Sequence, residues 1–278
     1  MIAQNSLEAL SDAHISRTIA AEAGAALLEL RQSFGEIDPT DRATADSLRK
    51  QGDRLAHVMI AEYLAKHRPD DSLLSEEGKD DDRRLSAERI WIVDPLDGTW
   101  EFGQGRVDFA VHVALWTQAT SSLSACTVDL PAQGMSRSML DETTQPAPLP
   151  VDRPVRIVAS RTRPPATLAR AVEILSAKLA EAGLSGSGVE VVDVGSVGAK
   201  VNEILCGRAE GYVHDTGFYE WDVAAPYGVA AHYGYSVSHV DGSPVTFNHM
   251  PPYVTDLCIA HPALAGLLRT SLAEAAGL

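Results

Sequence analysis

Positive charge is scarce in this chain of 278 residues: 23 lysines and arginines stand against 38 aspartates and glutamates, a formal charge of −15. Affinity for polynucleotides and anionic bilayers comes from cationic side chains that release counterions, so this balance argues against a nucleic-acid polymer or a membrane surface as partner. Long apolar runs are missing too. The densest stretch, Phe109 to Trp116, contains His112 and falls well short of the roughly 18 to 20 residues that cross a bilayer. The opening residues, MIAQNSLEALSDAH, carry neither a basic leader nor a continuous apolar segment, so no secretory signal is read and a cytoplasmic location is expected. Cysteine is rare. Cys126, Cys206 and Cys258 are widely spaced and odd in number, which suits reduced core thiols better than a disulfide frame or a zinc site. Against these shortages, 45% of the residues are apolar, enough to exclude disorder and to fill one large core or two smaller ones.

Leu7, Leu10, Ile15, Ile19, Ala23, Leu27 and Leu30 recur at helical steps and predict a long amphipathic helix ending near Phe34-Gly35. A second helix is expected from about Asp53 to His67, with Leu55, Val58, Met59 and Tyr63 on its inner side. The period then changes: Arg89 to Val93, Val107 to Trp116 and Ser122 to Val128 read as strands, with a turn at Pro131 to Gly134. Residues 141–154 hold four prolines and mark an exposed connection or a seam between domains. Beyond them, strands at Val155–Ala159 and Val189–Asp193 alternate with helices near Pro165–Ala182 and Ser196–Cys206. A helix from Trp221 to Tyr233, strands at Tyr235–Val240 and Thr255–Ala260, and a helix from Pro262 complete the chain. The expected organisation is an α+β domain over residues 1–150 and an α/β domain over residues 151–278.

The segment from Ile90 to Thr99 runs a buried-type strand straight into Asp94-Pro95-Leu96-Asp97-Gly98. One reading is an ordinary acidic turn, since Asp, Pro and Gly each have local reasons to stand there. The other is that Asp94 and Asp97 share a pocket, with Pro95 stiffening the turn and Gly98 allowing close backbone approach to an anion. Two crowded carboxylates take up protons unless a cation lies between them, and oxygen ligands without nearby His or Cys favour Mg²⁺.

DPLDGTWEF resembles the first signature of the inositol-monophosphatase-like superfamily of metal-dependent phosphatases. Glu220-Trp-Asp-Val-Ala-Ala is similar to its second signature, Ser75-Glu76-Glu77-Gly78 to its paired-glutamate loop, and Asp53-Arg-Leu-Ala56 to Ile60 to its Asp-x-x-Ala-x-x-x-Ile helix. The resemblance implies a layered αβαβα sandwich and a site with two or three Mg²⁺ ions. It implies that Glu76, Asp94 and the Leu96 carbonyl hold one metal and that Asp94, Asp97 and Asp222 hold another. Thr99 and Asp53 would orient and deprotonate the attacking water, and the Gly98 and Thr99 amides would receive phosphate oxygens. Lys50-Gln51-Gly52 stand where the family has a threonine shortly before the aspartate, which leaves Asp46 as competitor to Asp53. Family resemblance also suggests a homodimer.

Glu101, after Thr99-Trp100, resembles the branch formed by the bacterial 3′(2′),5′-bisphosphate nucleotidases, as do Ser160-Arg161-Thr-Arg-Pro-Pro165 and Gly195-Ser-Val-Gly-Ala-Lys200. A small phosphorylated nucleotide is therefore the expected substrate, with an inositol phosphate or fructose 1,6-bisphosphate as the alternative. Ser160, Arg161, Ser196 and Lys200 suit the second phosphate; alternatively Gly195-Ser196 only starts a helix and Lys200 extends into water. Trp100 replaces the branch's usual Lys or Arg, as a stacking contact or a mere surface change. His112 and His214 lie in strands and read as core or surface residues, whereas Asp215 stands near the place of a substrate-contacting carboxylate in inositol phosphatases.

Overall fold

Ser11 accepts a hydrogen bond from the His14 N–H and so starts α1 (Asp12–Ser33), whose buried stripe includes Ile15, Ile19, Ala23 and Leu27. The structure, a computed structural model, describes residues 11–278, so Leu7 and Leu10 lie outside the described residues. Helix α2 (Arg42–His67) begins well before Asp53, because the Asp41 carboxylate caps it by accepting from Thr44. Its buried face is Ala45, Leu48, Gly52, Ala56, Ile60 and Leu64, whereas Val58 is exposed and Leu55, Met59 and Tyr63 are only partly covered. The reason is close approach: any side chain at Gly52 would run into Phe102 and Leu96, so this face is built from small residues that an apolar count overlooks.

Strands β1 (Ser72–Ser75), β2 (Arg89–Asp97), β3 (Ala110–Thr117), β4 (Ser122–Leu130) and β5 (Met135–Ser138) form one sheet in that order. It is antiparallel except for the β1–β2 pair. The single-turn helix α3 (Thr99–Gly103) follows β2 directly. Residues 142–150 form neither helix nor strand, in keeping with their prolines.

The second half contains β6 (Val155–Ser160), α4 (Leu168–Glu181), β7 (Val189–Val194), α5 (Val197–Leu205), β8 (Gly211–His214), β9 (Phe218–Tyr219) and α6 (Glu220–His232). It ends with β10 (Ser236–Ser238), β11 (Tyr253–Val254), β12 (Leu257–Ala260) and α7 (Pro262–Ala275). A second sheet runs β10-β12-β8-β6-β7, with β6 parallel to both neighbours, and β9 pairs with β11 as a short ribbon.

The layers are α1 and α2, the first sheet, α5 and α6, the second sheet, then α4 and α7. This is the αβαβα sandwich that the motifs imply. Alternation along β2 explains it: Trp91 and Val93 join the core under α1 and α2, while Ile90 and Ile92 join the central core with residues of the second sheet such as Val158, Tyr212 and Ile259. Helix α6 is apolar on almost every side, as a helix between two sheets must be. A side chain at Gly228 would strike Cys126 of β4, so small residues set the spacing of the middle layer.

Candidate active site

In a regular strand, side chains three residues apart point to opposite faces, which would separate Asp94 from Asp97. The β2–β3 pairing prevents this. Asp94 stands opposite His112 and Asp97 opposite Ala110, so β2 spends one extra residue and the register shifts between the two acids. That bulge, at Pro95 and Leu96, restores parity and turns both carboxylates toward the middle helical layer. Gly98 then takes φ 87, a left-handed conformation, and opens α3 with the Asp108 carbonyl and Ser196 packed against it.

The third acid comes from α6. Asp222 occupies the first turn, and its Oδ2 accepts from the Tyr219 N–H at 2.8 Å. Asp94 Oδ1 accepts from the Leu96 N–H at 3.0 Å, and Asp97 Oδ2 from the Gly198 N–H at 2.9 Å. A backbone donor therefore fixes one oxygen of each acid and orients the carboxylate. One carboxylate oxygen from each of Asp94, Asp97 and Asp222 lies within 4.8 Å of the others. No cationic side chain is paired with Asp94 or Asp222 among the described ion pairs. Burial first, then repulsion from Glu76, Asp97 and Asp222, pushes the Asp94 carboxyl well above its ordinary value. Burial and then Asp97 push Asp222 up to about 7. An all-oxygen set of crowded, backbone-oriented acids fits a hard divalent cation.

Glu76 follows β1 and is outside that tight trio; burial first, with repulsion from Glu77 and Asp97, raises its carboxyl, while contact with Asp94 works the other way. The Thr99 hydroxyl donates to the Leu96 carbonyl at 3.0 Å and reaches Asp53 Oδ1 at 3.3 Å. Burial, then Glu77 and Glu76, push Asp53 up to about 7. Asp46, its competitor, is largely exposed and pairs with Arg49 at 3.0 Å.

A cavity of about 300 Å³ joins Glu76, Asp94, Asp97 and Asp222 to a second wall, whereas Asp53 is not among its lining residues and meets it only through Thr99. Ser160, Arg161, Ser196 and Lys200 all line it, together with Thr162, Arg163, Glu101 and Tyr212. Here the acids are met by arginines. Arg161 donates to Glu101 Oε1 and to Asp108 Oδ2, each at 3.0 Å, and Arg106 pairs with the other Asp108 oxygen at 2.9 Å. The Ser196 hydroxyl caps α5 by accepting from Ala199. Lys200 is buried over the Tyr212 ring, donates to the Gly195 and Ser196 carbonyls, and is lowered to about 8 chiefly by burial. Sequence reasoning missed Asp108, which had no motif around it. Arg163, inside the Ser160–Pro165 motif, also lines the cavity and has no ion pair among those of the described residues.

His214 also lines the cavity, stacked on Phe218 at 4.4 Å, and burial lowers it to about 4, so it is neutral at pH 7. His112 is fully buried, with Nε2 at 3.2 Å from Asp97 Oδ2. Trp100 is half exposed on the rim, and Asp215 is exposed and not among the residues lining the cavity. Among the described residues no helix is long and apolar enough to cross a membrane.

Residues 11–274 match the inositol monophosphatase family, and the chain belongs to that metal-dependent family of phosphatases. A Mycobacterium leprae (strain TN) protein named 3′-phosphoadenosine 5′-phosphate phosphatase is 40% identical over 273 residues, 94% of each chain. A Mycobacterium bovis protein of the same name is 38% identical over 259 residues, 91% of this chain and 90% of its own. Among solved structures, CysQ from Bacteroides thetaiotaomicron superimposes with a TM-score of 0.71 at 24% identity, over 90% of this chain and 97% of that one. That likeness speaks for the fold.

Proposed function

We propose that the protein hydrolyses the 3′-phosphate of 3′-phosphoadenosine 5′-phosphate to give AMP and phosphate, as a Mg²⁺-dependent 3′(2′),5′-bisphosphate nucleotidase. The observation that carries the reaction type is the convergence of Asp94, Asp97 and Asp222 in one cavity, whose lining residue Thr99 contacts Asp53 from within the cavity wall. Similarity to the two mycobacterial phosphatases along nearly the whole chain supports the choice of substrate.

Glu76, Asp94 and the Leu96 carbonyl would hold one Mg²⁺, and Asp94, Asp97 and Asp222 another, so residues 1–150 supply most ligands and residues 151–278 supply Asp222. When bound, Mg²⁺ would neutralise these acids and supply Lewis-acid stabilisation of the charge that develops in an in-line displacement at phosphorus. Thr99 positions the water, and Asp53, poised near neutral pH, takes its proton. The Gly98 and Thr99 amides would receive the phosphate oxygens. Ser160, Arg161, Ser196 and Lys200, which line the same cavity, would hold the nucleotide and its second phosphate. The acids repel a phosphate ester unless cations intervene, so substrate binding should itself require metal. The same proposal places the enzyme in the cytoplasm, with Cys126, Cys206 and Cys258 reduced.

The test is a substrate panel with Mg²⁺ and with chelator. Turnover of 3′-phosphoadenosine 5′-phosphate well above that of inositol monophosphate and fructose 1,6-bisphosphate, abolished by chelator, is the expected result. Brisk turnover of a sugar phosphate alone would move the substrate, and ligand binding without phosphate release at saturating Mg²⁺ would remove the enzymatic reading.

A further inference from the structure

One fully buried polar side chain at the site has no part in the chemistry above. His112 lies on β3 opposite Asp94, facing the middle helical layer, with no exposed surface. Its Nε2 is 3.2 Å from Asp97 Oδ2, the oxygen that also accepts from Gly198. Gly198 backs the ring so closely that a methyl there would collide with it. On the α6 side, backbone acceptors of Trp221 and Asp222 lie against the imidazole. Neither ring nitrogen closes a fully aligned hydrogen bond in this arrangement.

The α6 sequence explains why a donor belongs there. Pro226 stands four residues after Asp222, inside the helix. Proline has no N–H, and its ring crowds the carbonyl four residues back. The Asp222 carbonyl therefore loses its helical partner in a buried place, where an unmet acceptor is costly. An imidazole between that carbonyl and Asp97 is a donor to an element bearing a proposed metal ligand, whichever nitrogen carries the proton.

We propose that His112 is a positioning residue that spans the β2 bulge and the first turn of α6, fixing the separation of the Asp97 and Asp222 carboxylates and hence the affinity of the site for a divalent cation. The inference rests on the reading of these acids as metal ligands.

The test is calorimetric titration of Mg²⁺ into the full chain without substrate, for wild type, His112→Phe, His112→Asn and Pro226→Ala, with melting in chelator and kcat and KM at saturating Mg²⁺. His112→Phe keeps the ring and removes its donors. It should melt in chelator within a few degrees of wild type, weaken Mg²⁺ binding at least about tenfold and lower kcat, while KM stays within about threefold. His112→Asn should recover part of the affinity. Pro226→Ala supplies the missing helical N–H, takes the acceptor from His112, and should weaken Mg²⁺ binding severalfold without harming the fold.

An unchanged Mg²⁺ affinity in folded His112→Phe, or an Asn variant no better than Phe, overturns the assignment. If His112→Phe does not fold, the Pro226→Ala titration decides alone, and wild-type affinity there overturns it too. A wild type that takes up no Mg²⁺ sinks the metal reading and this inference together, whereas wild type and His112→Phe binding equally well sinks only the latter.

Discussion

The two walls of the cavity treat their acids oppositely. On one, Asp94, Asp222 and Glu76, with Asp53 next to them beyond Thr99, are all raised, with burial the largest cause. On the other, Asp108 is held below its ordinary value because Arg106 and Arg161 outweigh its burial, and Arg161 also meets Glu101. A folded chain gains nothing from uncompensated buried charge, so the first wall makes sense only with a cation supplied from outside. On the second wall the chain supplies the cations itself, with Arg163 and Lys200 in excess of the paired acids, so that wall suits substrate orientation.

Asp94→Asn breaks the contrast most severely. Turnover should fall at least about a thousandfold, with Mg²⁺ uptake lost in parallel, because this acid is shared by both proposed metal positions. Melting in chelator should stay the same or rise, since the change removes one mutually repelled charge. A variant that keeps activity while losing stability would make Asp94 an ordinary structural acid.

Next in size is the dependence of stability on pH. Asp53 and Asp222 stand near 7 in the folded chain against an ordinary 3.8. Between those values the folded state holds protons that the unfolded chain has released, so in chelator stability is lost as pH rises from about 4 to 7 and then levels off. One such proton carries about 1.4 kcal/mol per pH unit. Discounted for partial exposure, that is a fall in melting temperature on the order of 5 °C between pH 5.5 and 7.5. Saturating Mg²⁺, which binds the ionised acids, should abolish or reverse the trend. A flat profile in chelator would erase the difference between the two walls.

The acids of the first wall were legible because Asp94 and Asp97 sit in one short motif, and Glu76 and Asp222 in two others. How Asp94 and Asp97 come to share a face was not. Pleat geometry places them apart, and the bulge that reunites them depends on pairing with β3, which only Pro95 hints at. The second wall was legible only as isolated cations. Arg161 and Lys200 were read as phosphate binders, but the Asp108 partner lies 53 residues before Arg161 and no local pattern announces a contact at that separation. Helix α2 failed for a simpler reason: its inner face uses Ala45, Gly52 and Ala56, whose value is small size rather than apolar surface.

Arg161→Ala tests the second wall directly. It leaves Glu101 and Asp108 facing each other without their shared cation, and the pair is partly buried, so about 1–2 kcal/mol of stability should go. KM should rise about tenfold while kcat stays within about threefold, the pattern of a lost ground-state contact. A collapse of kcat with KM unchanged would instead tie this wall to the chemical step.

The smallest effect should come at the rim. Trp100 is 49% exposed and belongs to neither wall's charge network, so Trp100→Ala should change stability by no more than about 0.5 kcal/mol. It does line the cavity, so a base of a bound nucleotide could stack on it. Base–aromatic stacking is worth about 1–3 kcal/mol when fully formed, and a half-solvated ring should keep only the lower end, a KM increase of about threefold for a nucleotide substrate. The same substitution should leave KM for a sugar phosphate unchanged, because such a substrate has no base to stack. An equal increase for both would make Trp100 part of the phosphate-orienting wall, and the division between charged walls and a neutral rim would have to be redrawn.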